Sequence, residues 1–154
     1  MTAFRVVPIS DRLAAKVRET RTAPGYGHPV HAEVAHSYGP CRSCLQVFRE
    51  GEDRRLLFTF DAFGGKEHYP SPGPVFLHEE ACKPFRDEGF PPELRELPLM
   101  LEAFAGDRWP LTREPVVDGA VEESIGRMLA NPAVDYLHVR NSHAGCYIAR
   151  VERA

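Results

Sequence analysis

Lysine is nearly missing from this chain. Only Lys16, Lys66 and Lys83 occur, so the 19 basic residues are almost all arginine, set against 22 acidic ones. A formal net charge of −3 leaves no surplus of cations to gather on one face. A nucleic-acid footprint needs that surplus, so nucleic acid is not an expected partner. The arginine excess reads as a coding bias, although guanidinium groups also suit carboxylate and phosphate recognition. Long apolar runs are missing as well. No stretch approaches the roughly 18–20 apolar residues of a membrane span, and no membrane association is expected. The opening Met-Thr-Ala-Phe-Arg shows no charged leader followed by an apolar run, which leads us to expect a cytoplasmic protein. There is no GxGxxG, no P-loop, no GxSxG and no HExxH, and Gly64-Gly65 does not make a phosphate cradle. Without those signatures, whether the protein is an enzyme stays open. Cysteine is sparse: Cys41, Cys44, Cys82 and Cys146. In a reducing compartment they are expected to stay thiols, which leaves packing, metal binding or chemistry, and not a disulfide framework.

What the chain does have is an ordinary globular composition. Its 154 residues are 43% hydrophobic and 27% charged, enough for a core of its own, and we expect a single domain over residues 1–154. "FRVVPI" reads as a first strand, and "SDRLAAKVRET" as a helix capped by Ser10 or Asp11, with Leu13, Ala14 and Val17 on one stripe. Residues 21–40 are rich in Gly, Pro and His, with a short strand expected over residues 30–35. "CLQVF" and "RRLLFTFDAF" look like strands flanking a charged turn at Gly51. A Gly/Pro-rich loop over residues 64–74 has the length of a binding loop, and "VFLH" is strand-like before a helix-prone "EEACKPF". "PPELRELP" predicts a short helix between prolines, and "LMLEAFA" a strand that ends in a Gly106-Asp107 turn. Residues 118–132 predict the strongest helix, capped by Asp118 and stopped by Asn131-Pro132. Its stripe is Val121, Ile125, Met128 and Leu129. "DYLHVR" and "CYIARVER" flank "NSHAG" as a C-terminal hairpin. Its expected core face is Leu137, Val139, Tyr147, Ala149 and Val151, leaving His138, Arg140 and Arg150 towards solvent or a cleft. The fold class is therefore α+β: a mostly antiparallel sheet with two or three helices packed on one side.

The chemistry concentrates in two places. Cys41-x-x-Cys44 supplies one close pair, and His78 with Cys82, four apart, supplies another. Zinc sites draw ligands in such pairs from distant parts of a chain, and antiparallel strands return the chain to its start. Cys41, Cys44, His78 and Cys82 are thus a candidate Cys₃His zinc set. The alternative is that the thiols are small buried hydrophobes and His78 a hydrogen-bonded strand end. A redox dithiol fits less well, because "LQVFRE" after the motif reads as strand and not as helix. The second place is the hairpin, where His138, Arg140, Asn141, His143 and Cys146 crowd one turn. Cys146 with His138 as base is a weak catalytic candidate, as is Cys41, and the plainer reading gives Asn141 and Gly145 the geometry of the turn.

"GPVFLHE", "VVDG" before a helix and above all "NPAVDYLHVRNSHAGCYIARVERA" resemble the bacterial family called domain of unknown function 1203, from the cysteine region to Ala154. The shared positions are Pro40, Cys41, Arg42, Asp118, Gly119, Asn141, Gly145, Cys146, Ala149 and Arg150. The resemblance implies a site at Cys41, Arg42, Asn141 and Cys146, with arginines suited to an anionic ligand, and it carries no activity. Function then divides between a protein with a structural zinc and a metal-free enzyme or small-molecule binder. The second would hold an anionic ligand in a cleft near Arg42, His138 and Arg140, with Asn141 among its contacts. A protein-interaction module is a third class. No feature sets an oligomeric state.

Overall fold

The computed structural model describes residues 3–37, 39–62, 73–106 and 109–154. In chain order the elements are β1 (Phe4–Val7), α1 (Asp11–Thr20), β2 (His31–Val34), β3 (Arg54–Phe60), β4 (Gly73–His78), a 3₁₀ helix (Pro92–Glu96), β5 (Leu99–Phe104), β6 (Pro110–Pro115), α2 (Val121–Leu129), β7 (Tyr136–Asn141) and β8 (Tyr147–Arg153). All strand pairings among the described residues are antiparallel. The α+β class therefore holds, with two α-helices among the described residues. The single expected sheet is two sheets, ordered β1-β8-β7-β5-β6 and β2-β3-β4. They belong to two compact units, residues 8–84 and residues 1–7 with 85–154, and each unit carries one α-helix. No helix among the described residues is long and apolar enough to cross a membrane.

In residues 8–84, α1 starts where its sequence says, with the Ser10 hydroxyl accepting from the Leu13 amide at 3.2 Å. Ala14 and Val17 face inward and join Ile9, Ala35, Phe48, Leu56, Phe58, Val75 and Leu77 in one apolar cluster. Arg55 is buried beside it. Its guanidinium pairs with Glu33 at 2.8 Å and lies 3.8 Å from the Phe76 ring centroid, so the charge is compensated and its flat face is covered. Two expected elements are absent. "CLQVF" folds as a tight turn with an isolated Pro40–Val47 bridge. "EEACKPF" is neither helix nor strand, since Pro84 disfavours the helical region for the residue before it and the run is short. The loop expected over residues 64–74 lies outside the described residues up to position 72, and Gly73 and Pro74 begin β4.

In the other unit, the first described residues pair with the last, Phe4 with Arg153 and Val7 with Arg150. One face of the sheet is apolar: Val6, Leu101, Ala103, Leu137, Val139, Ala149 and Val151 are all buried. Arg153 donates to the carbonyls of Leu129 (2.5 Å) and Val134 (2.7 Å), placing a cation at the negative end of α2. Asp118 does not cap that helix. Asp118 and Gly119 both take positive φ (53° and 70°), and the N-cap is Ala120, with no side-chain cap. The two residues form a turn that re-aims the chain before α2 begins. "PPELRELP" winds as a 3₁₀ helix and not an α-helix, in keeping with its five residues between prolines. The sequence did not announce β6. Pro110 and Pro115 bound it, and such residues belong on an edge strand.

The hairpin forms as expected, with one correction. The register shifts between Val139 and Arg140, so that Tyr147 opposes Arg140 and joins the face of His138 instead of the apolar face. His138 is 0% exposed and does not point to solvent. Gly145 takes φ 78°, whereas Asn141 keeps an ordinary φ and accepts from the amides of His143 and Ala144 at 2.8 and 2.9 Å. A Cβ at Gly145 would meet nothing within 4 Å. Gly145→Val should therefore destabilise the protein by about 1–3 kcal/mol through backbone strain alone. His143→Ala, at the exposed tip, should leave the denaturation midpoint unchanged. A neutral glycine variant with a destabilised histidine variant would contradict this assignment of the turn.

Candidate metal centre

The four predicted ligands converge, all within residues 8–84. One ligand atom each from Cys41, Cys44, His78 and Cys82 lies within 4.8 Å of all the others. Cys41 and Cys44 bracket a turn closed by Leu45 N–H to Cys41 O (2.9 Å) and Cys41 N–H to Gln46 O (3.0 Å). Leu45 holds φ 58°, a left-handed position that glycine usually takes. Its side chain is buried, which offsets part of that strain. The turn is fixed beside β4 by the Arg42 amide on Phe76 O at 3.2 Å. His78 is the last residue of β4. Val75 and Leu77 go to the apolar core, and His78 alternates to the side where its ring meets Phe48 edge-on, centroids 4.7 Å apart. Cys82 arrives on irregular chain, not from a helix face.

Within the cluster, Cys44 Sγ is 3.4 Å from His78 Nδ1 and Cys41 Sγ is 3.8 Å from Cys82 Sγ. A disulfide needs about 2.05 Å, so the cysteines are free thiols. Bonds of about 2.3 Å to sulfur and 2.0–2.1 Å to nitrogen in a tetrahedron give ligand separations of roughly 3.6–3.8 Å, which these distances bracket or meet. Each sulfur also receives an N–H: Cys41 from the His78 amide (3.4 Å), Cys82 from Arg18 Nη2 (3.4 Å), and Cys44 from the Gln46 amide. Arg18 uses its Nε on His78 O at 3.1 Å, so one side chain from α1 grips two members of the set. His78 turns its other nitrogen, Nε2, to Asp53 Oδ2 at 3.4 Å, and Asp53 also accepts from the Arg49 amide at 2.8 Å. A carboxylate behind the distal nitrogen of a ligating imidazole fixes its orientation and raises its basicity.

The electrostatics of the cluster favour positive charge. Hydrogen bonds to Cys41 and Cys82 push His78 up to about 10, against burial, and Asp53 adds to the rise. The Cys44 thiol is raised by its hydrogen bonds to Cys41 and Cys82 and then by burial, while Cys82 is lowered by hydrogen bonds from Cys41 and Cys44 and by the imidazole. Thiolate character at Cys82 is thus favoured beside positive charge on the imidazole. A divalent cation held by three thiolates and a neutral imidazole meets the same demand, and binding it releases the protons those groups hold.

The remaining predicted residues are placed as follows. Arg42 is in the same unit as the cluster, 3% exposed, with Nη1 donating to Pro40 O at 2.7 Å. His138, Arg140, Asn141 and Cys146 are in the other unit. Arg140 forms an ion pair with the buried Glu102, a partner that sequence reasoning missed. Register puts Glu102 and Arg150 on either side of His138, and the Arg150 guanidinium lies 4.0 Å from the Tyr136 ring centroid. His138 packs against Phe104 and Tyr147, each at 4.8 Å. Burial first, then the Arg140 and Arg150 cations, lower its pKa to about 3. Such an imidazole is a poor proton acceptor at neutral pH, which weakens the pairing of His138 with Cys146 as base and nucleophile. Arg18 and Asp53 were also missed. Nothing in the local sequence marks a contact made across about sixty residues, as Arg18 makes to Cys82.

A family model described as "Protein of unknown function (DUF1203)" matches residues 39–153. The match starts two positions before Cys41 and spans all four cluster residues, while Arg18 lies ahead of it. No curated protein and no solved structure matches.

The shift at His138 gives a pH dependence with a definite sign. Its pKa is about 3 in the folded protein and near 6.5 unfolded, so between those values the unfolded chain binds the extra proton. Its contribution to stability is complete above about pH 6.5 and falls by about 1.4 kcal/mol per pH unit on acidification towards pH 3. His138→Phe should flatten this acid limb in urea melts relative to wild type. The Cys41, Cys44, His78 and Cys82 cluster is unchanged between the two proteins, so equal slopes would refute a neutral buried His138.

Proposed function

Because the chain belongs to the DUF1203 family, whose description assigns no activity, the functional reading rests on the site, and we propose that the protein binds one zinc ion through Cys41 Sγ, Cys44 Sγ, His78 Nδ1 and Cys82 Sγ. The carrying observation is the convergence of these four atoms together with an N–H donor on every sulfur. Burial alone accounts for Cys41 and Cys44 as packing residues. It does not account for a half-buried thiol and an imidazole aimed at the same point, nor for a guanidinium and a carboxylate supporting them from behind. Three thiolates with one imidazole are a soft, tetrahedral donor set that suits zinc.

All four positions come from protein, which leaves none for a water, so the role is structural and not hydrolytic. The ion would join the turn at residues 41–44, the end of β4 and the irregular stretch at Cys82. The last of these has no ladder hydrogen bonds of its own to hold it, which is where a metal adds most. The metal-free alternative, an anionic ligand near Arg42, His138 and Arg140, draws less support. Arg140 already has a carboxylate partner, and Arg42 is committed to a backbone carbonyl.

Elemental analysis of protein purified after zinc-supplemented growth should find about one zinc per chain. Cys44→Ala should lose most of it, and Cys146→Ala should keep it. Affinity should fall as pH falls, by roughly one log unit per pH unit for each proton displaced, and titration calorimetry in buffers of different ionisation enthalpy should show proton release. Zinc far below one per chain in the wild type, with or without supplementation, would sink the proposal.

A further inference from the structure

Zinc is redox-inert, but thiolate ligands are not. Cys41 Sγ and Cys82 Sγ are 3.8 Å apart, so they need approach by only roughly 1.8 Å to reach disulfide length. The two residues are placed differently. Cys41 is fully buried, in a turn hydrogen-bonded at both its amide and its carbonyl. Cys82 is half-buried, four residues beyond β4, on chain that no helix or strand constrains. Its sulfur faces Arg18 Nη2 at 3.4 Å. That guanidinium can offer an N–H to a hydroxide departing from the sulfur.

Resting on the zinc reading above, we infer that the centre is a peroxide-responsive switch, with Cys82 as the attacking sulfur and Cys41 as the resolving one. The Cys82 thiolate attacks hydrogen peroxide, the O–O bond breaks, and the products are Cys82 sulfenic acid and hydroxide. The Cys41 thiolate then attacks the Cys82 sulfur, the S–O bond breaks, a second hydroxide leaves, and the Cys41–Cys82 disulfide forms. Two thiolates have given up two electrons, the peroxide has accepted them, and both hydroxides take protons from the buffer. Cys44 and His78 are the remaining ligands. Half of a tetrahedral set does not retain the ion, and zinc is released. A dithiol reductant reverses the exchange and restores the site.

The test uses the full chain carrying Cys146→Ser, so that every remaining thiol belongs to the cluster. Zinc content is measured first. A modest excess of hydrogen peroxide at neutral pH should then release one zinc per chain to a chromogenic chelator, lower the free thiols from three to one, and give a Cys41–Cys82 cross-link on peptide mapping. Dithiothreitol should restore zinc binding. Chains that start without zinc would refute the zinc reading and the switch with it. Chains that start with zinc and keep it while a free cysteine peptide in the same tube is oxidised would refute the switch alone. Release with Cys82 as sulfinic acid, or with a Cys41–Cys44 cross-link, would also overturn it.

Discussion

Several ionisable sulfurs held together at the edge of an apolar core are the constraint on which residues 8–84 are organised. Desolvated negative charge has to be answered by donors or by a cation. Here both kinds of answer are built in. Two backbone amides and one guanidinium point at the three sulfurs, and the fourth member of the set is an imidazole that takes up positive charge. The secondary structure serves this geometry. A strained turn presents Cys41 and Cys44, the last residue of β4 presents His78, and α1 delivers Arg18 to the irregular stretch that carries Cys82.

Two histidines in one chain, His78 partly buried and His138 fully buried, show the same physics with opposite signs. His78 sits among thiols and beside a carboxylate, and its pKa rises to about 10. His138 sits among aromatic rings with Arg140 and Arg150 nearby, and its pKa falls to about 3. The first environment asks for a cation; the second already has cations, with Glu102 as counter-charge to Arg140 and Glu152 to Arg150. This contrast, more than the mere presence of cysteine, distinguishes the metal-binding reading from the anion-binding one.

Much of this was legible in the sequence, and what was not has identifiable causes. The hairpin and α1 follow from alternation and a serine cap, which are local signals. The ligand quartet follows from two close pairs and the return of antiparallel strands, and the residues between the pairs fold as β3 and β4. The route was misjudged, however. "CLQVF" reads as strand from its composition, but the turn at Cys41–Cys44 overrides that propensity, and "EEACKPF" has helical composition without the length or the freedom from Pro84 to use it. β6 was hidden by its prolines, and Tyr147 changed faces because a one-residue register shift inverts the side-chain alternation beyond it. Arg18, Asp53 and Glu102 are partners set by tertiary contact, and no local pattern encodes them.

The most direct measurement is zinc-edge X-ray absorption on the purified protein, which reports ligand type and distance without mutation. A Cys₃His centre should give a first shell of three sulfurs at about 2.3 Å and one nitrogen at about 2.0–2.1 Å, with the multiple-scattering signature of a single imidazole. A first shell of nitrogen and oxygen alone, or a spectrum lacking sulfur at that distance, would contradict it.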